Sequence, residues 1–120
     1  MFAPCALGGV IDDQLAAELP ARGVCGAANN IFAASSAAAT LHDRGVLAVP
    51  DFVANAGALV LGASFNLGQP VGLDRVRRIG RTAGQILDDA KASGEPPATV
   101  ALRIADERLA AARARRNEEA

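Results

Sequence analysis

The stretch GVCGAANNIFAASSAAATLHDRGVLAVP, residues 23–50, contains the clearest fold signal in the chain. It opens with the apolar run GVCGA at 23–27 and closes with GVLAVP at 45–50. Neither run carries a charge and both are bounded by Gly or Pro, which is typical of strands buried on both faces of a parallel sheet. Between them, Ser35 or Ser36 can open a helix that stops at the glycine beginning the second run. The stretch therefore predicts a strand, a helix and a second strand.

The same alternation extends toward the amino terminus. MFA at 1–3 is a third apolar run, and Asp12 or Asp13 can cap a helix over QLAAEL at 14–19. The predicted order is strand, helix, strand, helix, strand, a βαβαβ unit with right-handed crossovers. We therefore expect an α/β fold with a parallel sheet of about three strands.

Beyond the third run the sequence is almost wholly helical. FVANAGALVLGASFNL at 52–67 is apolar nearly all round, which predicts one buried helix whose glycines allow close approach of neighbours. A helix from Leu73 should lie on a surface, because its apolar residues recur at helical spacing and its arginines fall mostly outside that stripe. The stripe consists of Val76, Ile79, Ala83, Ile86, Leu87 and Ala90. In the last helix the predicted apolar face consists of Leu102, Ala105, Leu109 and Ala112.

Composition limits the kind of protein this can be. The chain has 120 residues, of which 51 % are apolar and 21 % charged, as in ordinary globular proteins. Twelve basic and thirteen acidic residues leave a net charge of −1, which argues against nucleic acid or an anionic membrane as the main partner. The arginine-rich stretches are then best interpreted as solvated helix faces. No apolar run approaches the ~20 residues of a membrane span, and we expect a cytoplasmic protein.

The cysteines and the lone histidine give no sign of a metal site. Cys5 and Cys25 lie apart without a CxxC motif or a nearby histidine, and we expect two buried thiols. His42 lies in a helical run beside Asp43, which favours a surface or interface histidine over a ligand.

Polar side chains follow two of the predicted strands. Asn29 and Asn30 follow the second strand, and Asp51 and Asn55 follow the third. Ligands of open parallel sheets bind outside the carboxyl ends of the strands, so these side chains could surround a ligand. Amides both donate and accept hydrogen bonds, which suits a carboxamide or a ribose. The alternative is that each asparagine is a turn or cap residue.

Complete catalytic machinery is not evident in the sequence. There is no GxGxxG and no GxxxxGK[ST] motif, and Lys91 is the only lysine. There is also no Ser/His/Asp set, so no residue is assigned a catalytic role. By itself, the sequence supports half of a nucleotide-binding sheet.

Three ordered motifs carry a family resemblance. APCALGGVI at 3–11, GAANN at 26–30 and LHDRGVLAVPDFVANAG at 41–57 resemble the C-terminal part of the glutamate/leucine/phenylalanine/valine dehydrogenase family. The leucine, phenylalanine and valine branch is the most similar, and ADERLA at 105–110 resembles that branch's last helix.

The resemblance implies an NAD-linked oxidative deamination of an L-amino acid to its 2-oxo acid. It makes residues 1–52 the second half of a Rossmann-type sheet and residues 53–120 the C-terminal helices. The family's N-terminal catalytic domain, with its lysines, and the GxGxxG half are expected to be absent. The cofactor is expected to be NAD, with NADP left open. The complete enzyme is expected to act on an L-amino acid or 2-oxo acid, and homo-oligomer formation is left open.

The resemblance also assigns site residues. The loop that passes by the cofactor matches Ala6, Leu7 and Gly8, and the loop beside the nicotinamide matches Ala28, Asn29 and Asn30. Asn55 matches the asparagine of the family's NAGG, Asn30 is expected to reach substrate as well, and Leu59 and Gly62 fall where the branch lines its side-chain pocket. The family's NAGG reads NAGA here, so that Ala58 adds a methyl group.

We therefore expect the cofactor-side segment of an NAD(P)-dependent amino acid dehydrogenase, inactive in isolation. One alternative is a truncated or decayed gene product with only a binding or assembly role. Another is a stand-alone nucleotide-binding module. An unpaired strand edge at the amino terminus predicts poor solubility or dimerisation.

Overall fold

The computed structural model describes residues 1–70 and 73–118. Within these ranges there are six helices and two short strands. In chain order they are α1 (Asp13–Glu18), β1 (Gly23–Val24), α2 (Ser35–Asp43), β2 (Leu47–Ala48), α3 (Asp51–Ala54), α4 (Gly57–Asn66), α5 (Leu73–Ser93) and α6 (Pro97–Glu118).

The two strands form a parallel sheet in which Gly23 lies opposite Leu47 and Val24 opposite Ala48. A helix, α2, connects them, which confirms the predicted strand, helix, strand unit of residues 23–50. Parallel pairing requires such a crossover because the chain must return to the same end of the sheet.

The predicted third strand at 1–3 is not confirmed. Phe2 forms a single parallel bridge with Val24, through an N–H that donates to the Gly23 carbonyl at 2.9 Å and a carbonyl that accepts from Cys25 N–H at 3.1 Å. Pro4 follows directly, and because proline has no N–H it cannot donate the next ladder bond. The first run therefore pairs with β1 in the expected direction, but only over one residue.

Local capping signals place the first two helices. The Asp12 carboxylate accepts the Leu15 N–H at 2.8 Å, which confirms the predicted cap of α1. Helix α2 begins at Ser35, but its N-cap is Ala34 and no side chain caps its first turn, so the predicted serine cap is not confirmed. The chain leaves α2 through Gly45, whose φ of 70° suits glycine. Both helices cover the sheet and bury a first apolar cluster made of Ile11, Ala16, Leu19, Val24, Ala28, Ile31, Ala37, Leu41 and Val46.

Arg44, just after α2, holds the carboxyl end of α1. Its guanidinium donates to the Ala16 carbonyl and, at 3.0 Å, to the Leu19 carbonyl. The last carbonyls of a helix have no partner within the helix, so Arg44 satisfies groups that would otherwise need water. The contact joins the two helices that enclose the first cluster.

Replacing Arg44 by methionine should therefore lower the free energy of unfolding by about 1–2 kcal/mol, since the stem is kept and only the charge-assisted hydrogen bonds are lost. Urea unfolding followed by circular dichroism measures this loss. Arg113→Met on the exposed part of α6 is the matched control, expected within about 0.5 kcal/mol of wild type. Equal losses of unfolding free energy in the two variants would show that the Arg44 hydrogen bonds to α1 do not stabilise the fold.

The single buried helix predicted over 52–67 is wrong in two respects. The segment forms two helices, α3 and α4, because the backbone of Asn55, with φ −95° and ψ 4°, leaves the helical conformation and ends α3. Helix α4 is also largely exposed: Leu59 is 75 % and Phe65 80 % accessible. No atom of the described residues lies within 4 Å of the position that a Cβ on Gly62 would take, so this glycine does not serve a close approach between them.

Helices α5 and α6 pack against each other around a second apolar cluster, Ile86, Ala90, Val100 and Ala101, which Val53 and Ile104 extend. The predicted stripe of α5 is confirmed, since its residues are buried or half-buried. The predicted face of α6 is wrong, because Leu102 and Leu109 are exposed. Only the first turns of α6 contact α5. The residues of α6 that pack there are Val100, Ala101 and Ile104, which are not the residues of the predicted face.

Beyond Ile104 every described residue of α6 is exposed. The radius of gyration is 16.1 Å, whereas a compact chain of this length is expected to have one of about 14 Å.

Among the described residues, no helix is both long enough and apolar enough to cross a membrane.

Candidate functional site

A cleft of about 570 Å³ opens beyond the carboxyl ends of β1 and β2. Its walls come from the segment after the first bridge, the loop after β1, and the start of α3 and α4. The lining residues are Cys5, Ala6, Ala27, Ala28, Asn29, Phe52, Asn55, Ala56, Ala58 and Leu59. Size and mostly apolar lining are typical of a small-molecule site.

The polar groups of this cleft are concentrated in one pair of amides. The Asn55 Nδ2 amide donates to Asn29 Oδ1, which joins the loop after β1 to the end of α3. Within residues 1–70 and 73–118 no other protein group bonds Asn29 Nδ2 or Asn55 Oδ1. The pair therefore keeps both donor and acceptor capacity for a ligand.

Asp51 fixes the loop that carries these amides. One carboxylate oxygen accepts the Asn30 N–H and the other accepts the Phe52 N–H at 2.8 Å. Asn30 has a φ of 50°, the left-handed region that asparagine tolerates better than most residues. Asp51 thus holds a turn in place, and both of its oxygens are already engaged by backbone donors.

Gly8 lies against the back of the same loop. A Cβ on Gly8 would lie 2.6 Å from the Asn29 carbonyl oxygen and 3.0 Å from that of Asn30. The next residue, Gly9, donates its N–H to the Asn30 carbonyl at 2.7 Å. The backbones of the two segments are therefore in direct contact, and only glycine fits at position 8.

The structure brings five of the nine predicted site residues into the cleft wall: Ala6, Ala28, Asn29, Asn55 and Leu59. Gly8 and Asn30 support that wall from behind, through the contacts above. Leu7 is 72 % exposed and does not line the cleft. Gly62, one turn beyond the cleft on α4, faces open space. The ligands assigned to all nine residues stay predictions.

Some lining residues were missed. Phe52 and Ala56 have no polar atoms in their side chains, so a search for chemistry-bearing groups passes over them. Both cysteines were predicted to be buried, and both predictions are wrong. Cys5 is exposed in the wall of the cleft and Cys25 is half-buried. Neither thiol belongs to the first apolar cluster. The position of Cys5 next to Ala6 in the motif was the available signal. In the described ranges no His, Cys, Asp and Glu side chains gather in a group of three that could hold a metal.

His42 has a structural contact away from this cleft. Its Nε2 lies 3.2 Å from the carbonyl oxygen of Gly94, in the turn between α5 and α6. The ring is half-buried and connects α2 to the helical part of the chain.

This arrangement of a parallel strand pair and a strand-end cleft has clear counterparts among known proteins. Residues 1–73 match the family model described as Glutamate/Leucine/Phenylalanine/Valine dehydrogenase. The chain therefore belongs to this dehydrogenase family.

Relatives in the leucine and valine branch match nearly the whole chain. Valine dehydrogenase of Streptomyces albus is 44 % identical over 120 residues, which is 97 % of this chain and 32 % of that protein. Leucine dehydrogenase of Bacillus cereus is 31 % identical over 112 residues, covering 92 % of this chain and 31 % of that protein. The crystal structure of L-tryptophan dehydrogenase from Nostoc punctiforme superimposes with a TM-score of 0.84 at 33 % identity, over 90 % of this chain and 34 % of that one. The chain thus spans about a third of the length of the curated relatives it matches.

Proposed function

We propose that the chain forms the C-terminal, cofactor-side segment of an NAD(P)-dependent amino acid dehydrogenase, and that its cleft holds the nicotinamide end of the cofactor. The observation that carries this proposal is the Asn29–Asn55 amide pair at the strand ends of a chain from this family. In the complete enzyme the reaction is oxidative deamination of an L-amino acid to its 2-oxo acid. Residues 1–52 are then the second half of a Rossmann-type sheet and residues 53–120 the C-terminal helices.

The amide pair suits a carboxamide. Nicotinamide carries one carbonyl acceptor and one NH₂ donor, so Asn29 Nδ2 can donate to the carbonyl while Asn55 Oδ1 accepts from the NH₂. The apolar side chains of Ala28, Phe52 and Ala56 surround this pair. An apolar wall of this kind favours contact with the flat face of a ring.

The role of this segment is to bind and orient. The cofactor supplies the hydride acceptor, and the protein fixes its position against the substrate. Asn30 and Leu59 are assigned to the substrate side of the cleft, with Leu59 in the wall and Asn30 in the loop behind it. Gly62, assigned to the same pocket by resemblance, lies outside the cleft and can contribute only if α4 is repositioned.

Proton transfer from the substrate amine needs a base that the cleft does not contain. Lys91, the only lysine, lies at a different cavity beside His42 and Glu95. We therefore assign the base to the part of the family's enzyme that this chain does not match, and expect the chain alone to be inactive. NAD is the proposed cofactor and NADP is the alternative, since no residue assigned here contacts the adenosine ribose.

A second candidate function is supported by α4. Leu59, Phe65 and Leu67 are each more than two-thirds exposed on or just after this helix, an apolar surface of the kind that mediates association. A truncated product with only a binding or assembly role would use this surface and leave the cleft empty.

Cofactor binding separates the two proposals. Asn55→Ala should raise the Kd for NADH about tenfold, because the amide pair is lost and Asn29 Oδ1 is left without its donor. Fluorescence titration of the full chain with NADH measures this, and a parallel titration with NADPH compares the two cofactors. Asn117→Ala, at an exposed position of α6, is the matched control and should bind as wild type does. If wild type shows no saturable binding at millimolar NADH, or if both variants behave alike, the cleft is not the nicotinamide site.

A further inference from the structure

A second cavity, of about 220 Å³, adjoins the candidate cofactor cleft. It lies between α3 and α5 and is lined by Phe52, Val53 and Ala56 on one side and by Arg75, Arg78, Ile79 and Thr82 on the other. Phe52 and Ala56 also line the cleft, so the two spaces share part of one wall. We call this second space the arginine cavity.

The arginine cavity is strongly cationic. Arg75, Arg78 and Thr82 are spaced by three and four residues on α5, which places them on one helix face. Among the residues that the structure describes, no acidic side chain contributes to the lining. Within residues 1–70 and 73–118, neither Arg75 nor Arg78 forms an ion pair or a side-chain hydrogen bond.

A neighbouring arginine shows the contrast. Arg77 faces away and pairs with Asp74, its Nη1 lying 3.1 Å from the carboxylate oxygen. Sequence composition favours solvated helix faces for all of these arginines, and that interpretation holds for Arg77. Arg75 and Arg78 are also exposed, but they are two like charges one turn apart beside the same cavity, a mildly unfavourable arrangement that an anion between them would offset.

We propose that the arginine cavity binds a small oxyanion, a phosphate or a carboxylate group. Guanidinium groups present paired N–H donors that match the oxygens of such an anion, and the Thr82 hydroxyl adds a further donor. Arg75 and Arg78 are exposed and can meet an anion arriving from solvent, while Val53 and Ile79 line the space as half-buried apolar side chains. The proposal does not depend on the nature of the ligand in the cleft.

Arginine side-chain NMR on the full chain provides the test. Sodium phosphate is titrated at constant ionic strength against sodium chloride, while the Nε–H signals of the arginines are followed; sodium acetate forms a second series. We expect saturable shifts of the Arg75 and Arg78 signals with at least one of the two anions, and little change at Arg77. Linear shifts, or shifts spread equally over all arginines, in both series would overturn the proposal.

Variants give the matched comparison. Arg75→Gln combined with Arg78→Gln should raise the Kd for the bound anion at least tenfold, whereas Arg77→Gln should leave it within about twofold of wild type. An equal loss in Arg77→Gln would mean that general positive charge, not the cavity, attracts the anion. If the double variant does not fold, the shifts of the Arg75 and Arg78 Nε–H signals in the wild-type chain still test the proposal.

A final series identifies the source of the oxyanion. The phosphate or acetate titration is repeated in the presence of saturating NADH. If NADH itself shifts the Arg75 and Arg78 signals and abolishes the response to the free anion, the cavity receives a phosphate of the dinucleotide. If the free anion still binds, the cavity takes a separate small anion beside the cofactor.

Discussion

Gly26→Ala is expected to lower the free energy of unfolding by about 3 kcal/mol or more, the largest loss anticipated for a single methyl group in this chain. The added Cβ would lie 2.0 Å from the Pro4 carbonyl oxygen and 2.7 Å from its carbonyl carbon. Both are backbone atoms, so no side-chain rotation can relieve the contact. The Pro4 carbonyl also accepts the Ala28 N–H at 3.0 Å, and moving it would break that bond.

Gly62→Ala is the matched control for this experiment. Its Cβ would meet no atom of residues 1–70 and 73–118 within 4 Å, and the residue is inside α4, where alanine is the better helix former. Stability should therefore rise by about 0.5–1 kcal/mol. Urea unfolding of both variants by circular dichroism gives the comparison, and a Gly26→Ala protein as stable as wild type would show that residues 1–4 do not pack on β1 as described.

Gly8→Ala is expected to impair both stability and ligand binding. The Cβ would approach the Asn29 and Asn30 carbonyl oxygens, which must then move away from the segment containing residue 8. Because Asn29 holds the amide pair with Asn55, this displacement reaches the cleft directly. We expect a loss of about 2 kcal/mol in unfolding free energy and a rise of more than tenfold in the Kd for NADH.

Gly84→Ala, in open space on α5, separates these effects from the general cost of adding a methyl group. It should bind NADH as wild type does and unfold at equal or higher urea concentration. If Gly8→Ala lost stability but kept its NADH affinity, the loop would be a structural element only. That result would refute the assignment of Asn29 to the cofactor.

Features set by neighbouring residues were predictable from sequence. The carboxylate of Asp12 at the start of α1 and Gly45 after α2 act within one turn of the backbone, so their effect can be predicted from a few neighbouring residues. The stripe of α5 was also predictable, since its apolar residues recur at helical spacing on one face.

Features that depend on packing against residues far away in the sequence could not be predicted from the sequence. The apolar residues of α4 looked buried because the sequence is apolar on every side, yet only Ser64 of this helix is buried. The face of α6 was misassigned because two apolar registers overlap there, and contact with α5 selects the one that includes Val100. A third full strand was expected from MFA, although Pro4 limits its pairing to Phe2.

The candidate site was predictable in its polar part. Asn29 and Asn55 follow successive strands, and strand ends of a parallel pair must meet at one edge, so their approach followed from topology. Asp51 lies at the same edge, but the sequence did not show that its carboxylate accepts the Asn30 N–H and fixes that turn. The apolar wall of the cleft could not be predicted from the sequence, because alanine and phenylalanine are equally common in a buried core.

The existence of two apolar clusters has a consequence for cooperativity. One cluster supports the strand pair and the other the α5–α6 pair, so each part of the chain has its own source of hydrophobic stabilisation. Asn29 belongs to the first part, whereas Asn55 follows α3, whose Val53 packs on the second. A molecule held by both amides would bond to two units that are stabilised by separate apolar clusters. Its binding energy would then oppose the opening of either unit, making hydrogen exchange slower in both and their unfolding more nearly a single event.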